Sequence, residues 1–185
     1  MPLDHHALEA SLAALTAAAG HPGIADRRSL EERLGQVIAV ACEVLPVDGL
    51  GLMLLDESGV LRMAGASDPA AVALERVQQR LGNGPGIDCV RDDTTVAVDD
   101  LAAGDTYAAV WAALPPDAAR AVLSVPVRVG KSVAGTLNAL GKRPQHWTVD
   151  SVRATEAYAG VIAAVLRLSA AARQTPVSQL FAVDE

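Results

Sequence analysis

The stretch Val122–Leu140, VLSVPVRVGKSVAGTLNAL, decides how this chain is read. Two runs, Val122 to Val129 and Ser132 to Leu140, flank Gly130-Lys131, a two-residue link with glycine in the first position, as tight hairpin turns favour. Side chains alternate along a strand, so Ser124, Pro126, Thr136 and Asn138 share one face of this hairpin. Polar groups inside an otherwise apolar sheet need partners. Ser124 and Asn138 therefore either bond neighbouring backbone or mark a place where a small molecule or water is held.

Working outward, Thr148 is placed to cap a long helix whose Val149, Val152, Ile162, Val165 and Leu166 face inward, and from Gln174 the pattern dissolves into a polar tail. Upstream of the hairpin, Asp105 is placed to cap a helix carrying Tyr107, Val110, Trp111 and Leu114, which Pro115-Pro116 stops. Gly49 to Asp56 and Val60 to Ser67 form a second hairpin around Asp56-Glu57-Ser58-Gly59. Asp68 and Pro69 then open a helix with Val72, Val77 and Leu81 inward, which breaks at Gly82-Asn83-Gly84-Pro85-Gly86. A short helix leads on to a strand, Thr95 to Val98. Nearer the start, Ser29 with Glu32 forms a capping-box pattern before Leu30, Leu34, Val37, Ile38, Ala41, Val44 and Leu45, a wide apolar face ending at Pro46. Leu8, Leu12 and Leu15 describe a first helix with a narrow apolar stripe, closed by Gly20-His21-Pro22-Gly23.

Sequential strands joined by tight turns imply an α+β fold, an α/β sandwich with a mainly antiparallel sheet and helices on both faces. The chain divides into an N-terminal helix and linker (1–26), a central domain (27–173) and a C-terminal tail (174–185). At 185 residues, 51% hydrophobic and 20% charged, it can bury a sizeable core, and with aromatics at 3% that core is mainly Ala, Val and Leu. The net charge of −7 and the scattering of the 15 basic residues, with Arg27–Arg28 and Lys142–Arg143 the only adjacent pairs, argue against direct nucleic-acid binding. No positive n-region opens the chain and no apolar run approaches the ~18 residues of a span, so the expectation is a cytoplasmic protein without a membrane segment. Two cysteines outside any CxxC or Cys/His cluster fit a reducing compartment.

Several stretches, in order, resemble the GAF domains common in actinobacterial regulators. The pieces are Leu54-Leu55-Asp56-Glu57-Ser58-Gly59, Ala66-Ser67-Asp68, Leu81-Gly82-Asn83-Gly84-Pro85-Gly86, Val98-Asp99-Asp100-Leu101, Val122-Leu123-Ser124-Val125-Pro126-Val127 and Gly135-Thr136-Leu137-Asn138. The resemblance runs from about Leu30 to Leu168. It departs from the group at Gly86, where cysteine is common, and at His146-Trp147, where an aromatic followed by acidic residues is usual. An RNA-binding antitermination module, frequent in the group, would have to follow Arg173, and the twelve residues there are too few for it. The resemblance implies that the first and last helices pair on one sheet face and often build a dimer, while the other face and its covering helices enclose a ligand pocket.

Other chemistry is weaker. Gly130-Lys131-Ser132 lacks the earlier glycine of a phosphate-binding loop, since Val125 stands there, and the glycine loop at 82–86 follows a helix and has Ile87 where a dinucleotide fingerprint needs glycine. Asp92, Asp93, Asp99 and Asp100 lack calcium-loop spacing, and His5, His6, His21 and His146 form no zinc motif, so no metal is expected. His146 beside Trp147 fits packing or capping better than haem ligation. Cys89 invites comparison with the methionine-sulfoxide reductases and bilin-binding sensors among GAF relatives. Cys42, however, lies mid-helix away from it, Val90 stands where bilin sites usually place histidine, and a small buried side chain is the plainer role.

The expectation is therefore a sensory or regulatory domain in signal transduction or transcription regulation, not an enzyme. Its ligand of unnamed identity is held by Ser124, Pro126, Thr136 and Asn138, covered by Tyr107 and Trp111, with Asn83 and Gly84 in a lid. The alternatives are a ligand-free dimerisation or scaffold module and a thiol redox enzyme using Cys89. A homodimer is expected through the first and last helices, because the Leu8, Leu12 and Leu15 stripe would otherwise be exposed, and a separate output protein is a further possible partner.

Overall fold

The computed structural model describes residues 3–19 and 27–173. The elements are α1 (His5–Ala19), α2 (Arg27–Val44), β1 (Gly49–Leu55), β2 (Leu61–Ala66), α3 (Pro69–Leu81), α4 (Pro85–Arg91), β3 (Val96–Val98), α5 (Ala108–Ala113), β4 (Ala121–Val129), β5 (Ser132–Gly141) and α6 (Val149–Arg173). The helix stop expected at 20–23 and the tail from 174 lie outside the described residues. The five strands form one antiparallel sheet in the order β2-β1-β5-β4-β3, with helices on both faces, as an α+β fold requires.

The β4–β5 hairpin pairs Ser124 with Asn138 and Pro126 with Thr136, and Gly130 turns it at φ 65°, a left-handed angle that glycine adopts without a Cβ penalty. One sheet face presents Leu50, Leu52, Leu54, Leu123, Val125, Val127, Leu137 and Ala139 to α2 and α6 in the main core. Here α6 lies on β4, and α1 docks on α6 and α2. Leu15 is buried and Leu8 and Leu12 are half-buried against this core, so the leucine stripe of α1 is partly covered by its own chain. The Ser11 and Tyr158 hydroxyls meet at 2.6 Å and tie α1 to α6.

Local signals held where a side chain met the backbone. Asp68 Oδ1 accepts from Ala71 N at 2.9 Å and caps α3, Gly82 closes it at φ 58°, and Thr148 Oγ1 accepts from Ser151 N at 3.2 Å at the start of α6. Three expectations need correction. Helix α2 starts at Arg27, two residues before the start expected at Ser29. Tyr107 is the N-cap of α5 and no side chain caps it; Asp105 contributes only its carbonyl, to Ala108 N. Helix α3 is rotated from the face expected, burying Ala71, Leu74 and Val77 while Leu81 is 39% exposed. Finally, α6 over Val149–Ala171, at mean hydropathy 1.2, has the length and composition of a span although its apolar residues are interrupted, and half of that window is buried inside the fold.

Candidate functional site

The second sheet face is where the polar residues gather. Gly51 on β1 pairs with Asn138, which pairs with Ser124, which pairs with Val96 on β3, so these four form a row across the sheet. Helices α3 and α4 cover it. Rotation of α3 turns Glu75 and Gln78, three residues apart and hence on one helical face, down onto this row, and both are 0% exposed.

Glu75 reaches across Gly51 to the amide of Asn138, whose Nδ2 donates to Oε1 and Oε2, each at 2.9 Å. Gln78 Nε2 donates to Glu75 Oε2 at 3.1 Å, and Gln78 Oε1 accepts from Gly86 N on α4 at 2.8 Å. Thr136 Oγ1 lies 3.1 Å from Asn138 Oδ1, 3.2 Å from the Val125 carbonyl and 3.5 Å from Cys89 Sγ. Ser124 Oγ is buried with no partner among the described residues. Glycines make this packing possible: a Cβ on Gly51 would stand 1.9 Å from Glu75 Oε1, on Gly84 2.4 Å from Gln78 Oε1, and on Gly86 2.9 Å from Asn138 Oδ1. Burial pushes the Glu75 carboxyl up to about 8 against the lowering by hydrogen bonds from Asn138 and Gln78, so at neutral pH it is mainly protonated.

A family model for the GAF domain matches residues 29–166. The chain belongs to the GAF domain family. None of the curated proteins matches it. Solved structures share the GAF fold. Free methionine-R-sulfoxide reductase from Neisseria meningitidis, in complex with its substrate, is 16% identical with a TM-score of 0.68, covering 93% of this chain and 96% of that one. The GAF domain of a phosphoenolpyruvate-protein phosphotransferase from Coxiella burnetii is 16% identical at TM-score 0.67, covering 90% and 96%. A domain of a two-component sensor histidine kinase protein from Sinorhizobium meliloti 1021 is 15% identical at TM-score 0.57, covering 80% and 97%.

Within this GAF domain the residues expected at a site separate into two groups. Ser124, Pro126, Thr136 and Asn138 do share a buried face, and Gly84, at φ 147°, lies against Gln78, with Asn83 half-buried in the same loop. Tyr107 and Trp111 instead pack on the apolar cluster of Val122 and Leu140, one same-face step along β4 and β5. Tyr107 donates from its hydroxyl to Asp88 Oδ2 at 2.8 Å, and the guanidinium of Arg120 stacks 4.9 Å from the centre of the Trp111 ring. The cover over Asn138 comes from Glu75 of α3 and Gly86 of α4.

The aspartates weighed for a cation are engaged otherwise. Asp92 pairs with Arg91, Asp93 with Arg128, Asp100 with Arg120 and Asp99 with His146 Nδ1 at 2.9 Å. Hydrogen bonds from Arg91, His146 and Arg120 hold Asp92, Asp99 and Asp100 below the usual carboxylate range. No group of three metal-ligating side chains occurs among the described residues. Sequence reasoning missed Glu75 and Gln78, since polar residues on an amphipathic helix read as its wet side. The signal available was Gly51, a glycine inside an otherwise aliphatic strand, which marks close approach by a neighbour.

Proposed function

We propose that this GAF domain is a sensory, regulatory module of signal transduction that binds a small molecule on the sheet face beneath α3 and α4 and acts on a partner or output protein, transcription control included. The observation that carries this reading is the concentration of five fully buried polar side chains, Ser124, Thr136 and Asn138 on one sheet face and Glu75 and Gln78 on the α3 face packed over it. A core built only for stability would place apolar side chains there, because buried polar groups cost free energy unless fully paired, and Ser124 is not. A sensor histidine kinase and other signalling proteins among proteins of this fold add to the reading. A homodimer through α1 and α6 and a cytoplasmic location belong to the same proposal.

One observation favours a second reading, a ligand-free dimerisation or scaffold module: the side chains of Glu75 and Gln78 fill the space over Asn138. Thiol catalysis has less support. Burial pushes the Cys89 thiol up to about 11 and raises Cys42 as well, and the two lie on opposite faces of the sheet. A raised thiol is a poor nucleophile near neutral pH. Native mass spectrometry of freshly purified protein tests the proposal, since it reports subunit count and retained small molecules together. A retained or titratable ligand lost in Asn138→Leu supports a sensor; a ligand-free dimer indifferent to metabolite extracts supports the scaffold.

A further inference from the structure

We propose that the cluster beneath α4 is a binding site for a small organic cation, a ligand whose primary ammonium group pairs with Glu75 while Ser124, Thr136 and Asn138 supply further oxygens. This rests on the reading of that face as the ligand site.

Oxygen atoms dominate the cluster. The cluster holds the two carboxyl oxygens of Glu75, Asn138 Oδ1, Gln78 Oε1, the Thr136 and Ser124 hydroxyl oxygens, the Val125 carbonyl and Cys89 Sγ. Thr136 has one O–H proton and three acceptors within reach, so two of them go without it at any moment. Ser124, beside Asn138 in the sheet register, is buried and unpartnered on the same face. An ammonium brings three donors and no acceptor, and these oxygens are placed to take them up.

Charge leads to the same class. Glu75 feels burial and the Asn138 and Gln78 amides, and no charged group. Strands β1 and β5 bring no titratable side chain to it, Arg128 on β4 is engaged by Asp93 at 2.7 Å, and Arg76 and Arg80 of α3 are exposed. On α4, Cys89 touches Thr136, and Asp88 is held by Arg91 and Tyr107. An incoming carboxylate would meet a buried carboxyl with no compensating cation. An ammonium instead stabilises the ionised form and drives a proton out. Gln78 lies between Glu75 and α4: its Nε2 donates to Glu75 Oε2 while its Oε1 accepts from Gly86 N. Rotating this one side chain vacates the donor position and frees the first turn of α4.

The test is an NMR titration of the full chain with n-propylammonium chloride, sodium propionate and 1-propanol at matched ionic strength, following the Gly86 amide and the Asn138 side-chain amide. Propylammonium is expected to shift both saturably, with affinity rising up to about tenfold per pH unit as Glu75 ionises and levelling off above about pH 8. Glu75→Gln is expected to weaken it at least tenfold. Equal binding to E75Q, or a wild-type affinity that does not rise between pH 6 and 8, overturns the assignment to a cation. Saturable shifts with propionate or propanol but not with propylammonium overturn the ligand class and leave the ligand site standing. No response to any of the three overturns both, and makes the cluster a structural core.

Discussion

The carboxyl of Glu75 occupies the space that a side chain on Gly51 would take, with Cγ, Cδ and Oε1 all within 2.8 Å of the Cβ position. Glu75 is wholly buried, so it can give way to a Cβ only by moving within the core. Gly51→Ala is therefore expected to cost about 1–3 kcal/mol through overpacking. Combined with Glu75→Ala it should cost clearly less than the sum of the two single changes, measured by urea unfolding. Additive costs would mean the two residues do not share this space.

Glu75 also links folding to pH. Its carboxyl titrates near 8 when folded and near ~4.3 when unfolded. The folded chain therefore binds the extra proton between these values. Stability from this group is complete below about pH 4 and is lost as pH rises to 8, with a slope approaching ~1.4 kcal/mol per pH unit at a full proton's difference. Urea midpoints of wild type compared with Glu75→Gln from pH 5 to 8.5 should converge at the acid end and diverge with rising pH, wild type falling. A constant offset between the two curves would refute the link.

Asn138 and Ser124, paired across the hairpin, should respond in opposite ways. Asn138→Leu strips Glu75 of its closest donor and Thr136 of an acceptor, so a loss of about 1–3 kcal/mol is expected. Ser124→Ala removes a buried hydroxyl that has no partner, and stability should stay level or rise by up to about 1 kcal/mol. A loss beyond ~1 kcal/mol in S124A by chemical denaturation would reveal a partner for the hydroxyl.

For the proposed dimer, Leu168 on α6 is a useful site because it is a large apolar residue left 36% exposed. Sedimentation of the wild type is expected to give a dimer at micromolar concentration, and Leu168→Glu to shift it towards monomer without altering the far-UV spectrum. A monomeric wild type, or a dimer indifferent to L168E, would remove the α6 interface.

The fold was legible wherever a residue type has one physical use. Gly130 between two alternating runs, Asp68 followed by Pro69, and Thr148 before the long helix each acted as expected. The alternation that put Ser124, Pro126, Thr136 and Asn138 on one face is a property of the strand itself, and the register preserves it. The floor of the site could thus be read, but its ceiling could not. Glu75 and Gln78 are turned inward by the seating of α3 on β1 and β2, a tertiary preference that outweighs the apparent amphipathic stripe through Leu81. The leucine stripe of α1 was likewise legible as apolar, while its cover, α6 of the same chain, lay some 150 residues away.

The length of α6 carries a mechanical consequence. Twenty-five residues in one helix make a rod about 37 Å long at 1.5 Å per residue. Held on β4 and fastened sideways to α1 at Tyr158, such a rod would carry its far end through about 3 Å for a tilt of about 5° about the other, given that length. At the far tip that displacement would equal about half of one helical turn.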